Sequence, residues 1–168
     1  MIKKIFQVIL ILMLSTHQSY SAGSSSDSGS KVKKPKANTP YYSATIRIKK
    51  AKKLEAKGKI EKSKKIYNEA LKYLYVANKE KPFDPDILNY LGFANRKTDN
   101  VKDAEMYYLM GLEIDPTHNG INEYLGELYV ITNRIGLAKE RLNVLKDCAC
   151  DEYQELKDVI DGVKKSKY

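Results

Sequence analysis

The chain has 168 residues, with 30 Lys or Arg against 21 Asp or Glu for a net charge of +9, and it contains 13 tyrosines, no tryptophan and two cysteines. Only four of the basic residues are arginine (Arg47, Arg96, Arg134, Arg141), and lysine lacks the bidentate geometry that nucleic-acid readers favour, so the composition argues against that partner class. No glycine-rich phosphate loop, metal-binding His pair or nucleophile motif is present, which argues against an enzyme and against any cofactor or metal.

Lys3 and Lys4 precede an apolar run from Ile5 to Leu14, and polar residues follow to Ser21. That order is a secretory signal peptide over residues 1–22, cleaved beside Ala22; the alternative is an uncleaved N-terminal anchor. Export of a bacterial-type protein to the periplasm or medium is the expectation. Residues 23–40 are rich in Ser, Gly and Lys, hold almost nothing apolar, and read as a disordered linker. The charge is divided along the chain: Ser30 to Lys81 carries +13, and Pro82 to Tyr168 carries −5. A lysine-rich first third can be an ordinary solvated surface, or it can attract an anionic membrane surface or an acidic protein.

Residues 41–150 contain a ladder of small residues. Ala51, Gly92 and Gly126 are each followed, 12 positions later, by Ser63, Ala104 and Ala138. Small residues at that spacing fall on two successive helices and let them pack closely, as stacked hairpins require. Three units follow, at about 44–84, 85–118 and 119–150. In the middle one, Leu88, Leu91 and Gly92 sit on the first helix, Val101, Ala104, Tyr108, Gly111 and Leu112 on the second, and Pro116 closes the unit. The third begins 34 residues later, with Leu125, Gly126, Tyr129, Ile135, Ala138 and Leu142 in matching places. The first is seven residues longer, and its Ile60, Tyr67 and Leu74 recur at heptad spacing through a long helix that ends before Pro82. Its own first helix puts Arg47 and Lys50 at positions usually apolar. Over residues 151–168, Tyr153, Leu156, Ile160 and Val163 recur at helical spacing, with Asp151 placed to cap the helix. This last helix would close the exposed end of a stack.

Leu91, Gly92, Ala104, Tyr108 and Pro116 fall where the tetratricopeptide repeat expects them, and the chain resembles that 34-residue helix-turn-helix family. The resemblance implies an all-α solenoid of about three units plus a C-terminal capping helix. It also implies a protein-interaction module that receives a peptide or protein segment on its concave face. On the family's pattern the inward positions are Asn89, Phe93, Arg96 and Lys97 in the second unit and Glu123, Glu127 and Val130 in the third. Phe93 would be an aromatic anchor, and the two glutamates would suit a basic peptide. A different class of reading is a self-assembling or envelope-surface structural protein, in which the basic third of one copy meets the acidic remainder of another. Cys148 and Cys150 are separated by one residue, and the options are a local disulfide staple, unpaired thiols, pairing between chains or a redox role. His118, between Thr117 and Asn119, reads as a surface loop residue.

Overall fold

The computed structural model describes residues 37–166, so the expected signal peptide and all but the last part of the expected linker lie outside the described residues. The described chain is all-helical: α1 (Pro40–Glu55), α2 (Ile60–Glu80), α3 (Pro85–Arg96), α4 (Val101–Ile114), α5 (Asn119–Ile131), α6 (Ile135–Val144) and α7 (Asp151–Ile160). No described helix is long and apolar enough to cross a membrane.

Local chemistry sets the helix starts. Thr39 and Asp84 cap α1 and α3, each followed by a proline in the first helical turn, where a missing N–H costs nothing. The Asp84 carboxylate accepts from the N–H groups of Asp86 and Ile87. His118 caps α5 with its ring, which corrects the loop reading: Nδ1 accepts from the Ile121 N–H at 3.2 Å, and the residue is only 7% exposed. The ring proton therefore sits on Nε2, which lies 3.3 Å from Oδ1 of Asp86, so one imidazole ties the start of α5 to the start of α3.

One device closes every hairpin. Gly58, Asp99 and Asn133 take the left-handed conformation, with φ of 68°, 65° and 59°. At each, the next residue's N–H donates five residues back, namely Lys59 to Leu54, Asn100 to Asn95 and Arg134 to Tyr129. This satisfies the last carbonyls of α1, α3 and α5 and folds each helix back onto α2, α4 and α6. Asp99 and Asn133 adopt a conformation that glycine takes at no steric cost, and Asn and Asp are the side chains that tolerate it best.

Helices α1 and α2, α3 and α4, and α5 and α6 pack as pairs, α2 meets α3, α4 meets α5, and α7 lies on α5 and α6. Two layers result. Contacts of Lys97 with Glu55 and of Arg96 with the Tyr124 carbonyl join α1, α3 and α5 in the first layer. Tyr75 against Tyr107, and Arg134 against Glu105, join α2, α4 and the start of α6 in the second. All six residues of the small-residue ladder are buried, among Tyr67, Leu74, Leu88, Leu91, Tyr108, Leu125 and Leu128. Each fully buried leucine contributes about 1.5–3 kcal/mol. Arg47, out of place in an apolar pattern, lays its guanidinium 4.0 Å over the Tyr73 ring of α2 and hydrogen-bonds its hydroxyl. The charge stays at the surface while the stem packs.

The capping segment is helical over Asp151–Ile160 only, and Asp151 is its first residue rather than its cap. Cys148 and Cys150 are joined by a disulfide across Ala149 in the turn from α6 to α7.

Candidate interaction surface

Six of the seven residues assigned by pattern to the inward face lie on α3 and α5 and Lys97 directly follows α3, but they do not form an open surface. Phe93, Arg96, Lys97, Glu123 and Glu127 are 2%, 3%, 7%, 5% and 0% exposed, and Asn89 and Val130 are half-buried. Val130 packs at the edge of the core around Tyr108, and the Asn89 side chain lies close over Gly120.

The reason is direct pairing between neighbouring first-layer helices. Arg96 on α3 donates to the Tyr124 carbonyl at 2.6 Å and to Oε2 of Glu127 at 3.2 Å, both on α5. Lys97 reaches back to Oε1 of Glu55 on α1 at 2.8 Å, while Oε2 of Glu55 accepts from the Tyr67 hydroxyl at 2.9 Å. Burial lowers the Lys97 pKa from the ordinary lysine value, and the bond to Glu55 works against that shift. Phe93 lies under the Lys52 ammonium, 4.4 Å from its ring centroid, and packs edge-on to Tyr67. The polar and aromatic residues expected to receive a partner instead bind the layer together.

Burial has a titration consequence for the tyrosines among them. The Tyr67, Tyr108 and Tyr124 hydroxyls are all raised well above their ordinary value near 10, chiefly because burial disfavours the phenolate; Glu55 adds to the shift at Tyr67, and Glu123 at Tyr124. The unfolded chain releases these protons near pH 10 and the folded chain retains them, so stability is full below pH 10 and falls as pH rises beyond it. Tyrosinate absorbance should therefore rise for these groups together with loss of helical circular dichroism. Ionisation of all tyrosines with the helices intact would contradict their burial.

The open part of the first layer lies on α1. Tyr42, Ile46, Lys49 and Lys53 recur at spacings of three and four, so they share one helix face, and Tyr90 of α3 forms the opposite wall of a groove that also includes Lys52. Ile46 is 49% exposed, Lys49, Lys52 and Lys53 are exposed, and Tyr42 and Tyr90 are half-buried. Helix α1 bears Arg47, Lys49, Lys50, Lys52 and Lys53 against the single acid Glu55, and that carboxylate is turned to Lys97 and Tyr67. The groove thus has an apolar floor and lysines along its α1 side.

The pattern reading missed this face because it drew inward positions only from the second and third units, the first helix of the first unit fitting the repeat pattern poorly at Arg47 and Lys50. The spacing of Tyr42, Ile46, Lys49 and Lys53 was the available signal. Among the described residues, no group of three or more His, Cys, Asp or Glu is arranged to hold a metal ion. No protein-family model and no curated protein matches this chain.

Proposed function

We propose that the protein is an exported interaction module without catalysis, built as a tetratricopeptide-type solenoid of three helical hairpins closed by α7. It receives an acidic segment carrying apolar side chains in the groove between α1 and Tyr90. The observation that carries this reading is the groove itself, where exposed Ile46 and half-buried Tyr42 and Tyr90 lie beside exposed Lys49 and Lys53 on the α1 side. Apolar floor and charged rim divide the work in the usual way, the floor supplying affinity and the rim supplying encounter rate and selection. The repeat pattern and the paired packing of α1–α2, α3–α4 and α5–α6 support the solenoid.

The test uses a dye-labelled helical peptide of glutamate, leucine and phenylalanine. The double substitution K49E/K53E should weaken its binding at least about tenfold, a change of about 1.4 kcal/mol. Added salt should weaken binding to the unaltered protein. The equally charged control K79E/K81E, at exposed residues outside the groove, should leave the affinity nearly unchanged. Equal losses in both variants would mean a diffuse charge effect and no groove. Self-association that rises with concentration and vanishes in salt would assign the groove to the acidic half of another copy instead.

A further inference from the structure

Beyond α7 the chain turns back onto the first layer. Gly162, with φ of 73°, ends α7 in a reversal in which the Val163 N–H donates to the Asp158 carbonyl at 2.9 Å and the Gly162 N–H to the Val159 carbonyl at 3.3 Å. The Lys164 ammonium lies 3.3 Å from both Glu155 and Asp158 and fixes the direction of the turn. The strap Val163–Ser166 then reaches α5, where Ser166 Oγ donates to Oε2 of Glu127 at 3.5 Å. That oxygen is the one that holds Arg96.

The strap therefore sits at the α5 end of the same face whose α1 end is open. A continuous line of contacts joins the two ends. Lys52 of the groove lies 4.4 Å from the Phe93 ring and 5.8 Å from the Tyr124 ring, Arg96 lies 5.3 Å from that Tyr124 ring, and Arg96 pairs with Glu127 beneath Ser166. What holds the strap is slight. Val163 is 76% exposed, and the Lys164 pairs are partly exposed ion pairs, a kind that adds little.

We propose that the strap is a displaceable cover in cis, and that its own chemistry reports what the α5 end of the face accepts. The partner is then a segment of two parts, acidic and apolar where it meets α1, and at the other end lysine-bearing where it takes the place of Lys164 at Glu155 and Asp158 of α7 and serine-bearing where it takes the place of Ser166 over Glu127 of α5. This inference rests on the reading of the α1 groove as the partner site.

The test compares two probes, the glutamate–leucine–phenylalanine peptide alone and the same peptide with a Lys-Lys-Ser tail, on the full chain and on G162A/K164A. An alanine at 162 meets no atom within 4 Å, so it strains only the reversal, and the core is untouched. With the strap loosened, the tail should improve affinity about fivefold, and it should add little in the unaltered protein, where the strap competes for the site. In the unaltered protein the amides of Val163 and Lys164 should exchange faster with the tailed probe bound. A tail that adds the same affinity to both proteins would overturn the cover while leaving the groove, provided K49E/K53E still weakens binding of the untailed probe at least about tenfold. Failure of the unaltered protein to bind either probe would remove the groove reading and this inference with it.

Discussion

Replacing Arg96 by methionine is expected to destabilise the protein by about 3–5 kcal/mol, because it leaves the Glu127 carboxylate buried without its cation. The side chains of Arg96 and Glu127 are 1% and 0% exposed, so water cannot take over the role of either partner. Methionine keeps most of the volume, so the loss comes from the charge and from the hydrogen bond to the Tyr124 carbonyl. The double substitution R96M/E127M removes both charges and should recover most of the loss, since a buried ion pair is often worth no more than the apolar residues that could replace it. Urea unfolding followed by circular dichroism gives both values and their coupling. A loss below about 1 kcal/mol for R96M would mean that the pair is solvated and that the inward positions of α3 and α5 are open after all.

The second large effect is expected at the closest helix crossing. An alanine Cβ at Gly92 would fall less than 3.0 Å from Cδ1, Cε1 and Cζ of Tyr108. That ring is fully buried and has Arg96 and Tyr124 against it, so it has no vacant space to enter. Overpacking of this kind costs about 1–3 kcal/mol. Gly136 on α6 offers the contrast: nothing lies within 4 Å of an added Cβ, and G136A should gain about 0.5–1 kcal/mol from reduced backbone freedom in the unfolded chain. Thermal unfolding should move in opposite directions for the two. An unchanged midpoint for G92A would contradict the close crossing of α3 and α4.

The helical class and the places of the helices were legible because small and apolar residues recur at fixed spacing. Gly92 marked the close crossing of α3 on α4, Gly126 faces Leu156 of α7 and not α6, and Pro82 marked the end of α2. The state of the inward residues was not legible from the same pattern. The repeat pattern picks out Arg96 at the end of α3 and Lys97 just past it, but it does not say that α1 and α5 approach closely enough to bury them against Glu55 and Glu127. Such pairs are 31 and 42 residues apart in sequence and leave no local trace. His118 was similarly hidden, because its capping role depends on the ring nitrogen meeting the first turn of α5 and on Asp86 lying across from it. The left-handed turns at Asp99 and Asn133 carried a readable signal in residue type. The return of the strap to Glu127 did not, since Gly162 announces only that α7 stops.

The most direct test of the groove is an amide and side-chain chemical-shift map of the full chain, titrated with the glutamate–leucine–phenylalanine peptide. The expected result is a saturable set of shifts centred on Tyr42, Ile46, Lys49, Lys53 and Tyr90, absent in K49E/K53E. Shifts scattered over the exposed lysines of α2, or centred on the α4–α6 side with the α1 face unmoved, would contradict it.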